Sequence, residues 1–166
     1  MSTTWRDVEK TYRYPGIAPM DVTAGVTTNY FSMKNYRHAT IDIVMGAIAT
    51  PSAVTINRAK TVAAGSAETW TGWDYVYVNA DYSTYNAEDA SDTQTFTKTA
   101  VTSYTKNTAA NNHWVIEFDA IDLGGEDWDC FAVAIAAPSG TDMVCIMVTL
   151  SDARFADATP PTARDN

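Results

Sequence analysis

The chain has 166 residues, 46% of them hydrophobic, and its 20 acidic residues against 11 basic ones give a formal net charge of −9. A chain of this length can bury about two thirds of its unfolded surface, so one domain with one core is expected. The acidic balance argues against nucleic-acid binding, because neutralising phosphates requires clustered lysine and arginine. No apolar run reaches the roughly 18 residues of a membrane span, and the first residues lack the apolar core of a signal peptide. We therefore expect a protein made in the cytoplasm, with no membrane partner.

Residues 1–20 combine charged side chains with three aromatic rings, Trp5, Tyr12 and Tyr14, and they include two prolines near their end. Proline removes a backbone donor and suits neither a helix interior nor a central strand. The segment predicts an extended N-terminal arm. Such an arm either crosses its own domain or docks on a neighbouring subunit.

From residue 21 the sequence changes to short alternating segments separated by polar turns, which is typical of β-strands. The predicted strands of this half are 27–33, 39–45, 53–59 and 73–78. Residues 79–95 are polar, with Glu88, Asp89 and Asp92 among serines, threonines and asparagines, and they predict a long loop. A threonine alternation over 94–105 predicts one more strand.

Three further strands are predicted between residues 114 and 150. Trp114, Ile116 and Phe118 alternate with polar neighbours in the first, whereas residues 130–135 and 144–150 are apolar at almost every position. Turn residues at 138–142 join the last two into a predicted hairpin. A strand that is apolar on both faces is covered on both. We expect one face of this hairpin to lie on its own core and the other on a second subunit.

About eight short strands, regular turns and no amphipathic helix predict an all-β fold: a single β-sandwich of jelly-roll or Greek-key type with seven to nine strands. The predicted domain covers 21–155. The arm over 1–20 precedes it, and the two prolines after residue 158 predict an extended C-terminal tail over 156–166.

No catalytic motif is present: the chain has no P-loop, no G-x-G-x-x-G, no H-E-x-x-H, no C-x-x-C and no G-x-S-x-G. His38 and His113 each stand at the entry to a predicted strand and are expected to be turn or surface residues. Cys130 and Cys145 have no partners at metal-ligand spacing, so we interpret them as buried reduced thiols. The sequence thus predicts neither a catalytic residue nor a cofactor.

Acidic residues cluster in the long loop and again around the Gly124-Gly125 pair. Oxygen-rich loops with glycine suit calcium, but the spacing matches no EF-hand, so solvated turn carboxylates are the favoured interpretation and no metal site is predicted. The second acidic cluster consists of Asp119, Asp122, Glu126, Asp127 and Asp129.

Aromatic rings concentrate between residues 70 and 85. Trp70, Trp73 and Tyr75 precede a polar loop, and exposed rings beside acidic and amide groups are how many carbohydrate-binding modules stack sugars. The same rings also serve as anchors in protein interfaces, and burial in the core or in a subunit contact is the favoured use. A sugar-binding module is therefore the alternative function that the sequence leaves open.

The second half of the chain resembles small structural proteins encoded among the head genes of tailed bacteriophages. The likeness is carried by WVIEFDAIDL at 114–123, CFAVAI at 130–135 and CIMVTLSDARF at 145–155, where an E-x-x-A-x-x-L strand end precedes apolar strands and a D-x-R-aromatic segment. The opening at 30–39, a polar turn feeding an alternating strand, is similar in style. The resemblance implies a capsid-associated role.

These observations together predict a non-enzymatic virion protein that decorates or cements the outside of a tailed-phage capsid. Its expected partners are the major capsid protein and copies of itself, most plausibly as a homotrimer. Trp5, Tyr12 and Tyr14 are the predicted capsid anchors. Removing residues 1–19 would then leave a folded oligomer that no longer binds heads. The predicted contacts between subunits involve the hairpin, through Phe131, Val133 and Ile135 or through the alternate set Cys130, Ala132 and Ala134.

Overall fold

The computed structural model describes residues 11–46, 52–79, 97–100, 104–106, 112–125, 127–138, 140 and 142–154. That part of the chain contains twelve β-strands and one 3₁₀ helix (Ala120–Leu123), and no α-helix. The all-β prediction is confirmed. The strands are β1 (Tyr12–Asp21), β2 (Val26–Thr27), β3 (Phe31–Ser32), β4 (Tyr36–Met45), β5 (Ser52–Ala59), β6 (Glu68–Trp70), β7 (Tyr75–Asn79), β8 (Thr97–Ala100), β9 (Tyr104–Lys106), β10 (Asn112–Asp119), β11 (Cys130–Ile135) and β12 (Met143–Ala153).

The strands form two antiparallel sheets that pack face to face. The first sheet has the order β1-β12-β4-β10-β7-β8, and the second has the order β2-β11-β5-β6, with β3 also paired to β11 and β9 to β5. The chain passes repeatedly between the sheets, and its first strand lies beside its last. Eight strands have the jelly-roll order if β2 and β3 are counted as one interrupted strand: β1-β12-β4-β10 in the first sheet and β2/β3-β11-β5-β6 in the second. The strands β7, β8 and β9 are additions to this arrangement. The predicted sandwich is therefore confirmed and its core strands have the jelly-roll order, but the predicted seven to nine strands are too few, because the described part of the chain has twelve.

The core lies between the inward faces of the two sheets, as the alternation predicts. Ile41, Ile43 and Met45 of β4 are fully buried, and so is Ile116 of β10. Aromatic rings join the layers: Phe131 of the second sheet meets Phe118 of the first edge to face, with ring centroids 5.0 Å apart. Such pairs add about 1 kcal/mol to the stabilisation from buried area.

The predicted hairpin at the end of the chain is wrong, because β11 and β12 belong to different sheets. The turn residues around Pro138 carry the chain from one layer to the other. Both strands occupy interior positions of their sheets, with β11 between β2 and β5 and β12 between β1 and β4. Interior strands of a sandwich are extensively buried, which accounts for their apolar composition.

Residues Tyr12–Asp21 of the predicted arm form β1, which pairs with β12 at the edge of the first sheet. The register shifts twice along this strand, between Pro15 and Ile17 and between Ile17 and Met20. Tyr12 and Tyr14 pack against the core while remaining partly exposed. The sandwich therefore begins at or before residue 12, and the boundary predicted at residue 20 has to move. Trp5, the polar segment 80–95 and the tail 156–166 lie outside the described residues.

Two other predicted strands are interrupted. In place of one strand over 27–33 the chain forms β2 and β3, and Thr28 lies between them. The Thr28 amide donates to the Val133 carbonyl at 2.9 Å, and the Thr28 hydroxyl accepts from the Val133 amide at 3.0 Å. The side chain of Thr28 thus takes the place of a backbone acceptor and interrupts the strand. In place of 94–105 the chain forms β8 in the first sheet and β9 in the second.

Candidate interaction surfaces

The outer face of the first sheet carries an apolar patch, which we call the first-sheet face. Strand alternation places its side chains opposite the core positions, and the register brings neighbouring strands together: Cys145 lies opposite Val44, and Val115 lies opposite Tyr77. Met143 is 47% exposed and Tyr75 42%, while the other members are half-buried. The first-sheet face consists of Val44, Tyr75, Tyr77, Val115, Met143, Cys145 and Met147.

Two histidine–carboxylate pairs cross the same outer face between β4 and β10. His38 Nδ1 lies 2.8 Å from Asp119 Oδ1, and His113 Nε2 lies 3.0 Å from Asp42 Oδ1. Both histidines lie within strands and are half-buried, so the expected turn position is wrong while the surface location is right. The His113–Asp42 pair lies within the first-sheet face: Val44, Cys145 and Met147 are on one side of it, and Val115, Tyr75 and Tyr77 are on the other.

The outer face of the second sheet is lined by small residues. Ala53, Thr55 and Ala134 border an open depression of about 490 Å³, together with the loop that holds Gly25. Gly25 adopts a φ of +75°, and a Cβ there would come within 2.9 Å of the Ala137 backbone nitrogen. Only glycine fits this turn without strain.

The predicted subunit-contact residues Phe131, Val133 and Ile135 lie on the inner side of β11. Their exposed fractions are 0%, 0% and 2%, and they belong to the core cluster. They cannot contact another subunit while the sandwich is folded. The alternate residues Cys130 and Ala132 face outward but are also buried, so only half-buried Ala134 of that set reaches the surface.

Of the three predicted sugar-binding rings, two are buried and one is exposed. Trp70 is 3% exposed and packs against Phe118 with ring centroids 4.9 Å apart, and Trp73 is 1% exposed. Neither indole offers a face on which a sugar could stack, so the exposure that the sugar-binding alternative requires is absent at both, and the favoured burial of these rings is observed. Tyr75 remains at the surface, on the first-sheet face.

Carboxylates of the second acidic cluster have protein partners. Asp119 binds His38, Asp122 accepts from the Asp119 amide at 2.9 Å, and Asp127 pairs with Lys60 at 3.0 Å. Among the described residues, no group of three side chains is placed to hold a metal ion. Glu126 and the acidic residues of the long loop fall outside the described part.

Both cysteines are free, and they lie on opposite sheets. Cys130 is buried, and burial together with its contact to Asp129 raises the pKa of its thiol to about 12. Cys145 is half-buried on the first-sheet face. Because a disulfide requires Cα atoms within about 7 Å, the location of the two cysteines on opposite sheets agrees with the predicted reduced thiols.

A second surface, which we call the arginine end, lies where β10 passes into the 3₁₀ helix. Arg37, Ile121 and Arg154 define it, around a depression of about 390 Å³. Ile121 is 80% exposed, the highest value among the large hydrophobic residues described. Sequence reasoning missed this site, because only the turn geometry reveals that Ile121 points outward.

Both ends of the described chain reach this side of the sandwich. Tyr12 at the start of β1 pairs with Leu150 near the end of β12, and the Arg154 amide donates to the Asn35 carbonyl at 2.9 Å. Residues before and after the sandwich therefore connect to it beside the arginine end.

No protein-family model and no curated protein matches the chain. One similar solved structure is the crystal structure of the SPBc2 prophage-derived protein YomS, with a TM-score of 0.44 and 14% sequence identity, covering 84% of this chain and 92% of that chain. A likeness of this degree carries no argument about function. The described residues contain no helix with the length and apolar character of a membrane span.

Proposed function

We propose that the chain is a non-enzymatic structural protein of a virion that decorates or cements the outside of a tailed-phage capsid. Its partners in this proposal are the major capsid protein and two further copies of itself in a homotrimer. The observation that carries the proposal is the first-sheet face, where two groups of apolar side chains flank a hydrogen-bonded His113–Asp42 pair.

Contiguous apolar surface is uncommon on soluble monomers and marks sites of interaction. Val44, Val115 and Met147 extend from rigid paired strands, so little conformational entropy is lost when a partner covers them. The hydrogen-bonded His113–Asp42 pair lies between Met147 and Val115 and supplies polarity that can fix the orientation of a contact.

Jelly-roll sandwiches occur in viral shells and in lectins, so the fold alone does not decide between the two predicted functions. The burial of Trp70 and Trp73 removes two of the three rings on which sugar binding was predicted. The resemblance of residues 114–155 to phage head proteins supports the shell. A closed trimer, in which each copy contacts its two neighbours through two different patches, fits decoration of a symmetric lattice.

The first test changes the first-sheet face. Exchanging Met143 and Met147 for glutamate places two charges on the apolar surface, and we expect a trimer to become a monomer in sedimentation-velocity measurements. The matched control, Thr27→Glu with Thr69→Glu, adds the same charge to exposed positions of the second sheet and should remain trimeric. A wild-type chain that is monomeric at micromolar concentration would contradict the oligomer.

The second test concerns the partner. The wild-type protein should co-sediment with heads that were purified without it and should pass unretained through a polysaccharide gel. Retention on the gel that is lost in Tyr75→Ala would favour the sugar-binding function instead.

A further inference from the structure

We propose that the arginine end is a docking site for a segment of the partner protein that carries carboxylates beside an apolar side chain. This inference deepens the proposed function and rests on it only for the identity of the partner. The chemistry of the site follows from Ile121, the two arginines and the depression between them.

Ile121 is held in place by the turn that exposes it. Leu123, two residues on, is fully buried and anchors the 3₁₀ helix in the core. Arg58 Nη1 donates to the Leu123 carbonyl at 2.6 Å, and Asp122 accepts the Asp119 amide at the start of the helix. The apolar side chain is thus presented from a fixed backbone, and a partner that buries it does not have to order a loop.

The two arginines differ from the other cations at the same end of the sandwich. Arg58 donates to Glu68 and Lys60 pairs with Asp127, so both have carboxylate partners. Among the described residues, neither Arg37 nor Arg154 has an ion-pair partner, and both are exposed.

Two carboxylates also line the depression. Asp119 is engaged by His38 at 2.8 Å. Asp152 lies in β12 at a left-handed φ of +54°. Within the described part of the chain, neither carboxylate forms an ion pair with Arg37 or Arg154, so both guanidinium groups remain available to a partner.

Charge and shape together favour an acidic protein segment. Guanidinium groups bind carboxylates through paired hydrogen bonds, and arginine is frequent among the residues that dominate binding energy. An apolar residue between two arginines suits a peptide, since a phosphate backbone offers it no counterpart.

The test uses a fluorescein-labelled peptide of alternating glutamate and leucine, with a lysine–leucine peptide of the same length as its counterpart. Fluorescence anisotropy should show binding of the acidic peptide to the full chain. Arg37→Ala combined with Arg154→Ala should weaken it at least about tenfold, and Ile121→Ser about tenfold. Lys34→Ala, an exposed cation of the same region outside the depression, should bind as the wild type does.

Equal binding of the lysine–leucine peptide, absence of binding, or unchanged binding by the double arginine variant overturns the inference. Binding to heads that were purified without this chain distinguishes failure of the docking site from failure of the proposed function. If heads bind the wild type and the double variant equally, the docking site is refuted and the decoration role stands. If the acidic peptide needs the arginines but heads do not bind the wild type, the docking site stands and the decoration role fails.

Discussion

Cys130 and Cys145 have the same chemistry in different surroundings. The thiolate is the reactive form, and burial raises the pKa of Cys130 to about 12. We expect one thiol per chain to react rapidly with a disulfide reagent at pH 8, and the second only after denaturant is added. Cys145→Ser should abolish the fast phase and Cys130→Ala should retain it. The thiol reactions should be measured in the Met143→Glu, Met147→Glu variant. Cys145 lies on the first-sheet face, which a wild-type oligomer is expected to cover and this variant to leave free. Two equally fast thiols would contradict the burial of Cys130.

A second residue-level prediction concerns alkaline pH. Burial, with a smaller contribution from Tyr12, raises the pKa of Tyr36 from 10.0 to about 12, and that of Cys130 rises from 9.0 to about 12. The folded state therefore keeps protons that the unfolded state releases. Stability from this source is complete below pH 9 and declines as the pH rises from about 9 to about 12.

Urea unfolding at pH 8, 10 and 11 checks this decline. Cys130→Ala should delay its onset towards pH 10, where Tyr36 alone begins to contribute, and Tyr36→Phe should leave the onset near pH 9. A free energy of unfolding that is constant to pH 11 would show that neither group is shielded.

Among single residues, the sequence identified which were apolar but could not tell which of these would be exposed. Ile121 and Trp73 illustrate this: the smaller side chain is 80% exposed and the larger 1%. Ile121 sits on a turn whose orientation is set by Leu123 and Arg58, which are contacts between distant parts of the chain. Local pattern carries no information about such contacts.

At the scale of elements, the 3₁₀ helix provides a direct comparison of two adjacent glycines. Gly124 has a φ of +108° and Gly125 a φ of +88°, so alanine is strained at both. A Cβ at Gly124 would also meet Arg58 Nη1, whereas a Cβ at Gly125 meets nothing within 4 Å. We expect Gly125→Ala to lower the free energy of unfolding by about 1 kcal/mol and Gly124→Ala by about 2–3 kcal/mol. Equal losses in urea unfolding would mean that Arg58 moves aside without cost.

Strands were predictable where alternation was strong, as in β4 and β10, because a period of two reports which side chains face the core. The same alternation does not report which sheet a strand joins. For this reason β11 and β12 were predicted as a hairpin although they lie in opposite layers, and 94–105 was predicted as one strand although it contributes to both. Strand pairing depends on contacts between distant segments.

For the whole molecule, the structure changes the expected result of truncating the N-terminus. Removing residues 1–19 deletes most of β1 and its pairing with β12, and it uncovers the core beside Ile17, which is 6% exposed. Loss of Ile17, Tyr12 and Tyr14 from the core should cost at least about 4 kcal/mol and lower the Tm by about 10 °C or more. Removing residues 1–10 leaves every described strand in place and should lower the Tm less than removing residues 1–19 does.

Thermal unfolding followed by circular dichroism distinguishes the two truncations. Only the shorter one is a valid reagent for asking whether Trp5 and its neighbours contact capsid subunits. Equal melting temperatures for both proteins would show that β1 contributes little to the sandwich.

The place of β12 in the first sheet has a consequence for how the chain reaches its native state. This strand is made after β1 and β4, yet it lies between them and pairs with both. A nascent chain that still lacks Met143–Ala153 cannot join β1 to the rest of the sheet, so its apolar edges stay open until that strand is made. Folding that depends on such distant pairings proceeds in milliseconds to seconds. Chaperone demand during translation should therefore be highest just before β12 leaves the exit tunnel.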